Sequence, residues 1–71
     1  MSSASAIAHN VKALRGSSGM SQTRLAALTG LSQTWISRLE AGDENPTLET
    51  LERLANAFGV TPVDLLKVDA A

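Results

Sequence analysis

The strongest constraint on the fold of this chain comes from two short predicted helices with almost nothing between them, in the stretch SQTRLAALTGLSQTWISRLEAG. Ser21 and Ser32 each stand just before a helix, where a serine hydroxyl accepts hydrogen bonds from the free amides of the first turn. Gly30 follows the first helix and a second glycine follows the second, and glycine tolerates the left-handed backbone that ends a helix. We therefore predict helices over about 22–29 and 33–41.

A short turn containing glycine between two helices is typical of a helix-turn-helix. The residues that we expect to point inward are Leu25, Ala26, Leu28, Leu31, Ile36 and Leu39. The outward face of the second helix is left with one amide, two hydroxyls and one guanidinium, on Gln33, Thr34, Ser37 and Arg38. Amide and guanidinium groups each bond two atoms on the edge of adenine or guanine. Most polar helix faces are only solvated, but the place of this one in such a pair favours base reading.

The composition limits the kinds of site that the chain can form. Its 71 residues are enough for one small domain over residues 1–71, with a thin stability margin. With no cysteine and one histidine, it lacks the side chains for disulfides or a zinc site, and we expect no metal and no cofactor. No apolar run reaches the length of a membrane span, and MSSASA does not resemble a signal peptide, so we expect a cytoplasmic protein.

The net charge of −1 hides an asymmetry. Residues 1–39 carry four basic side chains and no acidic one, whereas residues 40–71 carry two basic and seven acidic side chains. The basic part contains the predicted helix pair and the helix before it. Such a division points to a polyanion that approaches one side of the domain only.

Three further helices complete the predicted fold, over about 6–15, 48–58 and 62–67. Their expected N-caps are Ser3 or Ser5, then Thr47, then Thr61 followed by Pro62. The core stripe of the fourth helix is expected to be Leu48, Leu51, Leu54, Ala55 and Phe58. No strand pattern is present, so we predict an all-α, five-helix bundle that contains a helix-turn-helix.

The stretch MSQTRLAALTGLSQTWISRLEAGDENPTLETLERLANAFGVTPVDLL resembles the Cro and phage-repressor type of helix-turn-helix domain, the XRE family. The resemblance covers roughly residues 7–68 and includes the glutamine after the first cap, the Leu-Ala pair, the turn glycine, the I-S-x-L-E-x-G run, the N-P-T turn and the closing Leu-x-x-Leu-Ala helix. It implies a lambda-repressor-like fold with the third helix in the major groove of double-stranded DNA. The implied base-reading residues are Gln33, Thr34, Ser37 and Arg38, and the implied phosphate-binding residues are Gln22, Ser32, Trp35 and Asn45. Gln22 would also support Gln33.

A few residues need separate treatment. In the family a basic residue near the end of the first helix pairs with the glutamate of the L-E-x-G run, which implies a structural ion pair between Arg15 and Glu40 rather than a DNA contact. Trp35 either packs partly in the core or contacts a phosphate through its indole N–H. Asp43 and Glu44 depart from a phosphate-facing loop, because their charges would repel DNA unless they point away from it.

These features predict a sequence-specific regulator of transcription that binds double-stranded DNA, with repression as the expected outcome. One recognition helix reads few base pairs, so we expect a homodimer on an inverted repeat. The expected dimer contacts are Val60, Leu65, Leu66 and Val68, with Phe58 expected to close the monomer core. The alternative for the first four is that they too close the monomer core.

A protein-interaction module of the same fold, either an antitoxin or an adaptor, is the alternative function, because the acidic half could receive a basic partner. An enzyme is not expected, since the chain has no cysteine, one histidine and no paired carboxylates on a predicted pocket wall. No pattern indicates a small-molecule ligand or contact with a membrane.

Overall fold

The structure, a computed structural model, describes residues 2–68 as five α-helices connected by short loops. The helices are α1, Ser3–Ser17; α2, Gln22–Thr29; α3, Gln33–Glu40; α4, Leu48–Phe58; and α5, Pro62–Leu66. No residue in this described range lies in a strand, and the predicted all-α fold is confirmed. The helix-turn-helix is α2 and α3; α1 packs against α3, α4 packs against α2, and α5 packs against both α1 and α4.

Side-chain caps set the start of α2, α3, α4 and α5 where the sequence predicts them. The hydroxyls of Ser21 and Ser32 each accept a hydrogen bond, at 3.0 Å, from the backbone amide three residues later. Thr47 and Thr61 cap α4 and α5 in the same way. Gly30 ends α2 with a φ of 76°, in the left-handed region that side chains with a Cβ rarely adopt. The turn between α2 and α3 is therefore as short as predicted.

The first helix is longer than predicted at both ends. Its N-cap is Ser2, not Ser3 or Ser5, because the Ser2 hydroxyl accepts a hydrogen bond from the Ser5 amide at 3.1 Å. It continues through Gly16 to Ser17, two residues beyond the predicted end. A single glycine weakens a helix by about 1 kcal/mol relative to alanine, which is too little to end a packed helix. Helices α3 and α5 each end one residue earlier than predicted.

The core forms where the five helices meet. Its fully buried large side chains are Val11, Leu25, Ile36, Leu39, Leu54 and Leu65, and Ala26, Leu31, Trp35, Phe58 and Val60 pack partly buried against it. The inward placement expected for Leu28 and Leu48 is wrong, since they are 46% and 67% exposed. On α2 the inward place goes to Thr29, whose hydroxyl donates to the Leu25 carbonyl at 2.8 Å and so stays paired. Leu48 is the first residue of α4, and helical side chains point back towards the N-terminus, away from the packed turns.

The last helix is only five residues long and depends on contacts outside it. The Asp64 carboxylate pairs with Lys67 at 2.8 Å and accepts the Thr61 amide at 2.9 Å, and these contacts lower the pKa of Asp64 to about 2. From α1, Asn10 Nδ2 donates to the carbonyls of Leu65 and Lys67, at 2.8 and 2.7 Å. These bonds satisfy carbonyls that a short helix leaves free at its end.

An ion pair joins the end of α1 to the end of α3, as the sequence analysis expects for Arg15 and Glu40. Arg15 Nε lies 2.7 Å from Glu40 Oε2, and Arg15 Nη2 lies 2.8 Å from Glu40 Oε1. Arg15 Nη1 also donates to the Met20 carbonyl at 2.9 Å, just before α2. The two charged side chains are 19% and 5% exposed. One guanidinium thus holds α1, the loop before α2, and α3 together.

Opposing effects of burial and of the Arg15 contact determine the pKa of Glu40. Burial on its own would raise the pKa of Glu40, but hydrogen bonds from Arg15 and Gln22, with the positive charge of Arg15, hold it below its ordinary value of 4.5. The hydrogen bonding of Arg15 to the Glu40 carboxylate is the main reason that the pKa of Arg15 is raised, so the guanidinium stays charged. A carboxyl group with a lower pKa when folded stabilises the fold above its unfolded pKa, and that contribution is lost as the pH falls through the folded pKa.

Replacement of this carboxyl group should change both stability and its pH dependence. At neutral pH, Glu40→Gln should lower the free energy of unfolding by about 3 kcal/mol, because it leaves a mostly buried guanidinium without its counter-charge. As the pH falls below 4.5, the wild-type protein should lose stability more steeply than the variant, which has no carboxyl group to protonate at this position. Denaturant titrations in neutral and acidic buffers measure both effects. Glu52→Gln, on an exposed position of α4, is the control, and equal acid sensitivity of wild type and Glu40→Gln would contradict the assignment.

Candidate nucleic-acid interface

Helix α3 presents its predicted base-reading side chains on one open face. Ile36 and Leu39 are fully buried and fix the rotation of the helix about its axis. The side chains on the opposite face, Gln33, Thr34, Ser37 and Arg38, are all exposed. The only carboxylate of α3, on Glu40, is turned inward to Arg15. The face therefore offers donors and acceptors of hydrogen bonds without a negative charge of its own.

Gln22, the first residue of α2, connects this face to the buried ion pair. Its Nε2 donates to Glu40 Oε1 at 3.1 Å, and its Oε1 accepts a hydrogen bond from Gln33 Nε2 at 2.8 Å. A carboxylate can only accept, so the amide nitrogen of Gln22 faces Glu40 and its oxygen faces Gln33. The chain of contacts from Arg15 to Gln33 consequently fixes which way round the Gln33 amide is held.

Arg38 makes a contact that the sequence analysis missed. Its Nη2 lies 3.1 Å from Glu44 Oε2, in the loop after α3. The sequence suggests only that the Glu44 charge repels a phosphate or points away from DNA. The two residues are six positions apart with the end of a helix between them, so no helical spacing pairs them. Opposite charges flanking the loop are the one signal in the sequence that could have suggested the contact.

A cleft of about 400 Å³ lies beside α3, between the α2–α3 turn and the loop that leads to α4. Ser32, Trp35 and Asn45, three of the predicted phosphate-binding residues, line it together with Thr47. Since Ser32 and Thr47 are N-caps, the free amides at the starts of α3 and α4 are close to the same cleft. Trp35 packs against the core and also lines the cleft, so both roles expected for it fit its position. Gln22 is not among the lining residues.

The predicted dimer residues separate into buried and exposed ones. Leu65 is fully buried, so its side chain closes the monomer core and its expected place in a dimer contact is wrong. Val60 is partly buried against the core. Leu66 and Val68 are 41% and 56% exposed. Val63 is 63% exposed and lies one turn before Leu66; the sequence analysis missed it, although its spacing from Leu66 would place both on one helical face.

Residues 2–68 contain neither a cluster of metal ligands nor a membrane-spanning helix. No three histidine, aspartate or glutamate side chains lie together in an arrangement that could hold a metal ion. None of the five helices is long and apolar enough to cross a membrane.

A helix-turn-helix family model and several known proteins match most of the chain. Residues 11–65 match the family model HTH_3, helix-turn-helix. The uncharacterised HTH-type transcriptional regulator y4dJ of Sinorhizobium fredii is 42% identical over 60 residues, which cover 84% of this chain and 78% of that protein. Control protein C.BamHI of Bacillus amyloliquefaciens is 45% identical over 49 residues, which cover 69% of this chain and 60% of that protein.

Solved structures extend the likeness to the whole fold. The restriction-modification controller protein C.AhdI from Aeromonas hydrophila superposes with a TM-score of 0.83 at 31% identity, over 87% of this chain and 94% of that one. Hydroxypropylphosphonic acid epoxidase from S. wedmorenis contains a similar fold, with a TM-score of 0.85 at 26% identity, but the match spans only 35% of that enzyme. The chain belongs to the XRE-type HTH_3 helix-turn-helix family of DNA-binding transcriptional regulators.

Proposed function

We propose that this protein represses transcription by binding as a homodimer to an inverted-repeat operator, with α3 in the major groove of each half-site. The observation that carries the proposal is the exposed row Gln33, Thr34, Ser37 and Arg38, on a helix whose opposite face is locked into the core. The proposal includes no catalytic step, metal or cofactor, and it places the protein on DNA in the cytoplasm.

The side-chain amide of Gln33 is held in an orientation that suits recognition of adenine. One N–H of its side-chain amide bonds Gln22. Its second N–H and its carbonyl oxygen remain, and this donor and acceptor match N7 and the N6 amino group of adenine in the major groove. Because Gln22 already holds the amide in one orientation, less side-chain freedom is lost on binding. Arg38 supplies the guanidinium that matches O6 and N7 of guanine.

Phosphate contacts in the cleft would set the register of α3 on the duplex. The amides at the start of α3, beyond the Ser32 cap, favour an anion because of the helix dipole. The Trp35 indole N–H and the Asn45 amide are further donors at the same cleft. Gln22 uses one of its two amide hydrogens on Glu40, which leaves the other for a phosphate. Phosphate contacts stabilise binding to every DNA sequence alike, whereas base contacts distinguish one sequence from another.

A dimer would supply the affinity that one recognition helix lacks. The last helix and its end expose apolar side chains, on Val63, Leu66 and Val68, that a second copy could cover in a two-fold arrangement. Val60, the other predicted dimer residue, is partly buried against the core. Two copies of α3 would then read half-sites about 34 Å apart, one turn of the double helix.

The base-reading assignment predicts position-specific losses. Selection of bound fragments from random duplexes, at about 150 mM salt to suppress non-specific binding, should recover an inverted repeat. Gln33→Ala, Thr34→Ala and Arg38→Ala should each reduce discrimination at one position of each half-site, with about 1–3 kcal/mol lost for a two-point contact. Asn56→Ala, an exposed amide at the far end of α4, serves as the control and should leave the recovered repeat unchanged.

The same selection separates DNA reading from the alternative, a module that binds a protein partner. Recovery of no motif by the folded protein would favour the alternative, for which the acidic half of the chain supplies a surface. Binding to DNA must weaken steeply as salt rises, because neutralised phosphates release counterions. Binding that hardly changes with salt would also favour a protein partner.

The dimer assignment predicts a change in oligomeric state without loss of fold. Val63→Asp places a charge on a side chain that is 63% exposed in the monomer, so the monomer should fold, whereas burial of that charge between two copies should weaken the dimer at least about tenfold. Sedimentation equilibrium over a concentration series measures this directly. Leu48→Asp is the matched control, with an equally exposed apolar side chain on α4. A wild-type protein that stays monomeric both free and with DNA would refute the dimer.

A further inference from the structure

Glu44 brings a negative charge to the side of a base-reading residue, where it should oppose DNA binding. Its Oε2 lies 3.1 Å from Arg38 Nη2, and the side chains of Glu44 and Arg38 are 23% and 61% exposed. Among the ion pairs of residues 2–68, this is the one that involves the outward face of α3. Its neighbour Asp43 is exposed and forms no ion pair within that range.

The backbone after α3 places Glu44 in this position. The amide of Gly42 donates to the Leu39 carbonyl at 3.0 Å, and the amide of Asp43 donates to the Arg38 carbonyl at 3.0 Å. Gly42 has a φ of 82°, which glycine adopts without strain. The loop therefore folds back over the last turn of α3, and Glu44, the next residue, comes within reach of the Arg38 guanidinium.

We propose that Glu44 is a specificity-determining residue for DNA binding, which holds the Arg38 side chain ready for a guanine and weakens its attraction to phosphates of any sequence. This inference rests on the proposed function. It assigns Glu44 a positioning role, because Glu44 acts on DNA through Arg38.

The first part of this role follows from the geometry of the guanidinium. Arginine has five N–H donors, and the single contact to Glu44 uses one nitrogen. Enough donors remain for two hydrogen bonds to O6 and N7 of guanine. Glu44 thus restricts the guanidinium, as Gln22 restricts the amide of Gln33, without occupying the groups that read the base.

The second part follows from the charge. An arginine without a partner gains affinity from any phosphate, and this attraction carries no sequence information. A carboxylate next to it offsets that attraction, so binding to a wrong site loses more than binding to a site with the correctly placed guanine. An ion pair between exposed groups is weak, so Glu44 restrains the Arg38 guanidinium without preventing it from reaching guanine.

The test compares Glu44→Gln with Asp43→Asn, which remove one negative charge each from neighbouring positions of the same loop. Dissociation constants are measured for the selected operator and for an unrelated duplex, over a salt series. Glu44→Gln should strengthen binding to the unrelated duplex about threefold to tenfold and steepen its salt dependence by about one counterion. Its operator affinity should change less, so the ratio between the two duplexes should fall. Asp43→Asn should change both affinities equally.

The effect must also depend on Arg38. In an Arg38→Ala background, Glu44→Gln should no longer alter the ratio, since the residue through which it acts is gone. If the wild type prefers its operator but Glu44→Gln and Asp43→Asn have the same ratio of operator affinity to unrelated-duplex affinity, this inference alone is overturned. A wild-type protein that binds all duplexes alike would overturn the proposed function and this inference with it.

Discussion

The ion pair between Arg15 and Glu40 is the contact on which the proposed DNA-reading part of the structure depends. It joins α1 to α3 through two hydrogen bonds and reaches the loop before α2 through a third. Hydrophobic packing is non-directional, so it can bury one face of a helix without fixing the position of the helix end. The guanidinium has a fixed planar geometry, so it defines where the last turn of α3 lies relative to α1. Because Glu40 also accepts the Gln22 amide, the same pair orients the start of α2.

The two side chains best suited to read bases are held by different means. Gln33 is held by a neutral hydrogen bond to Gln22, which in turn donates to the mostly buried Glu40 carboxylate. Arg38 is held by an opposite charge at the surface. Neutral hydrogen bonds change little with salt, whereas an exposed ion pair is screened as salt rises. The two proposed base-reading side chains should therefore respond differently to ionic strength, although both lie on one helix.

The helix pair and its outward face could be predicted from sequence because the signals are local. A cap such as Ser32 bonds an amide three residues away, and the outward face of α3 follows from a period along eight residues. The failures at Leu65 and Glu44 have a non-local cause. Whether Leu65 faced the core or a second copy depended on where α1 and α4 lie, and the pairing of Glu44 depended on how a loop folds back. Leu28 was misplaced because a hydroxyl can be buried in its stead when it bonds the backbone of its own helix.

The two hydrogen bonds from Asn10 have a consequence for the order of folding. They join residues 55 and 57 positions apart, and the first helix packs on the last one. Contacts between such distant segments form only after the chain entropy of a long loop has been lost, so they form late. During synthesis, α2 and α3 leave the ribosome before the segment containing Leu65 and Lys67, which Asn10 of α1 bonds, has been made. The recognition helix is made in the middle of the chain, but its scaffold closes only when residues as far as Lys67 have emerged.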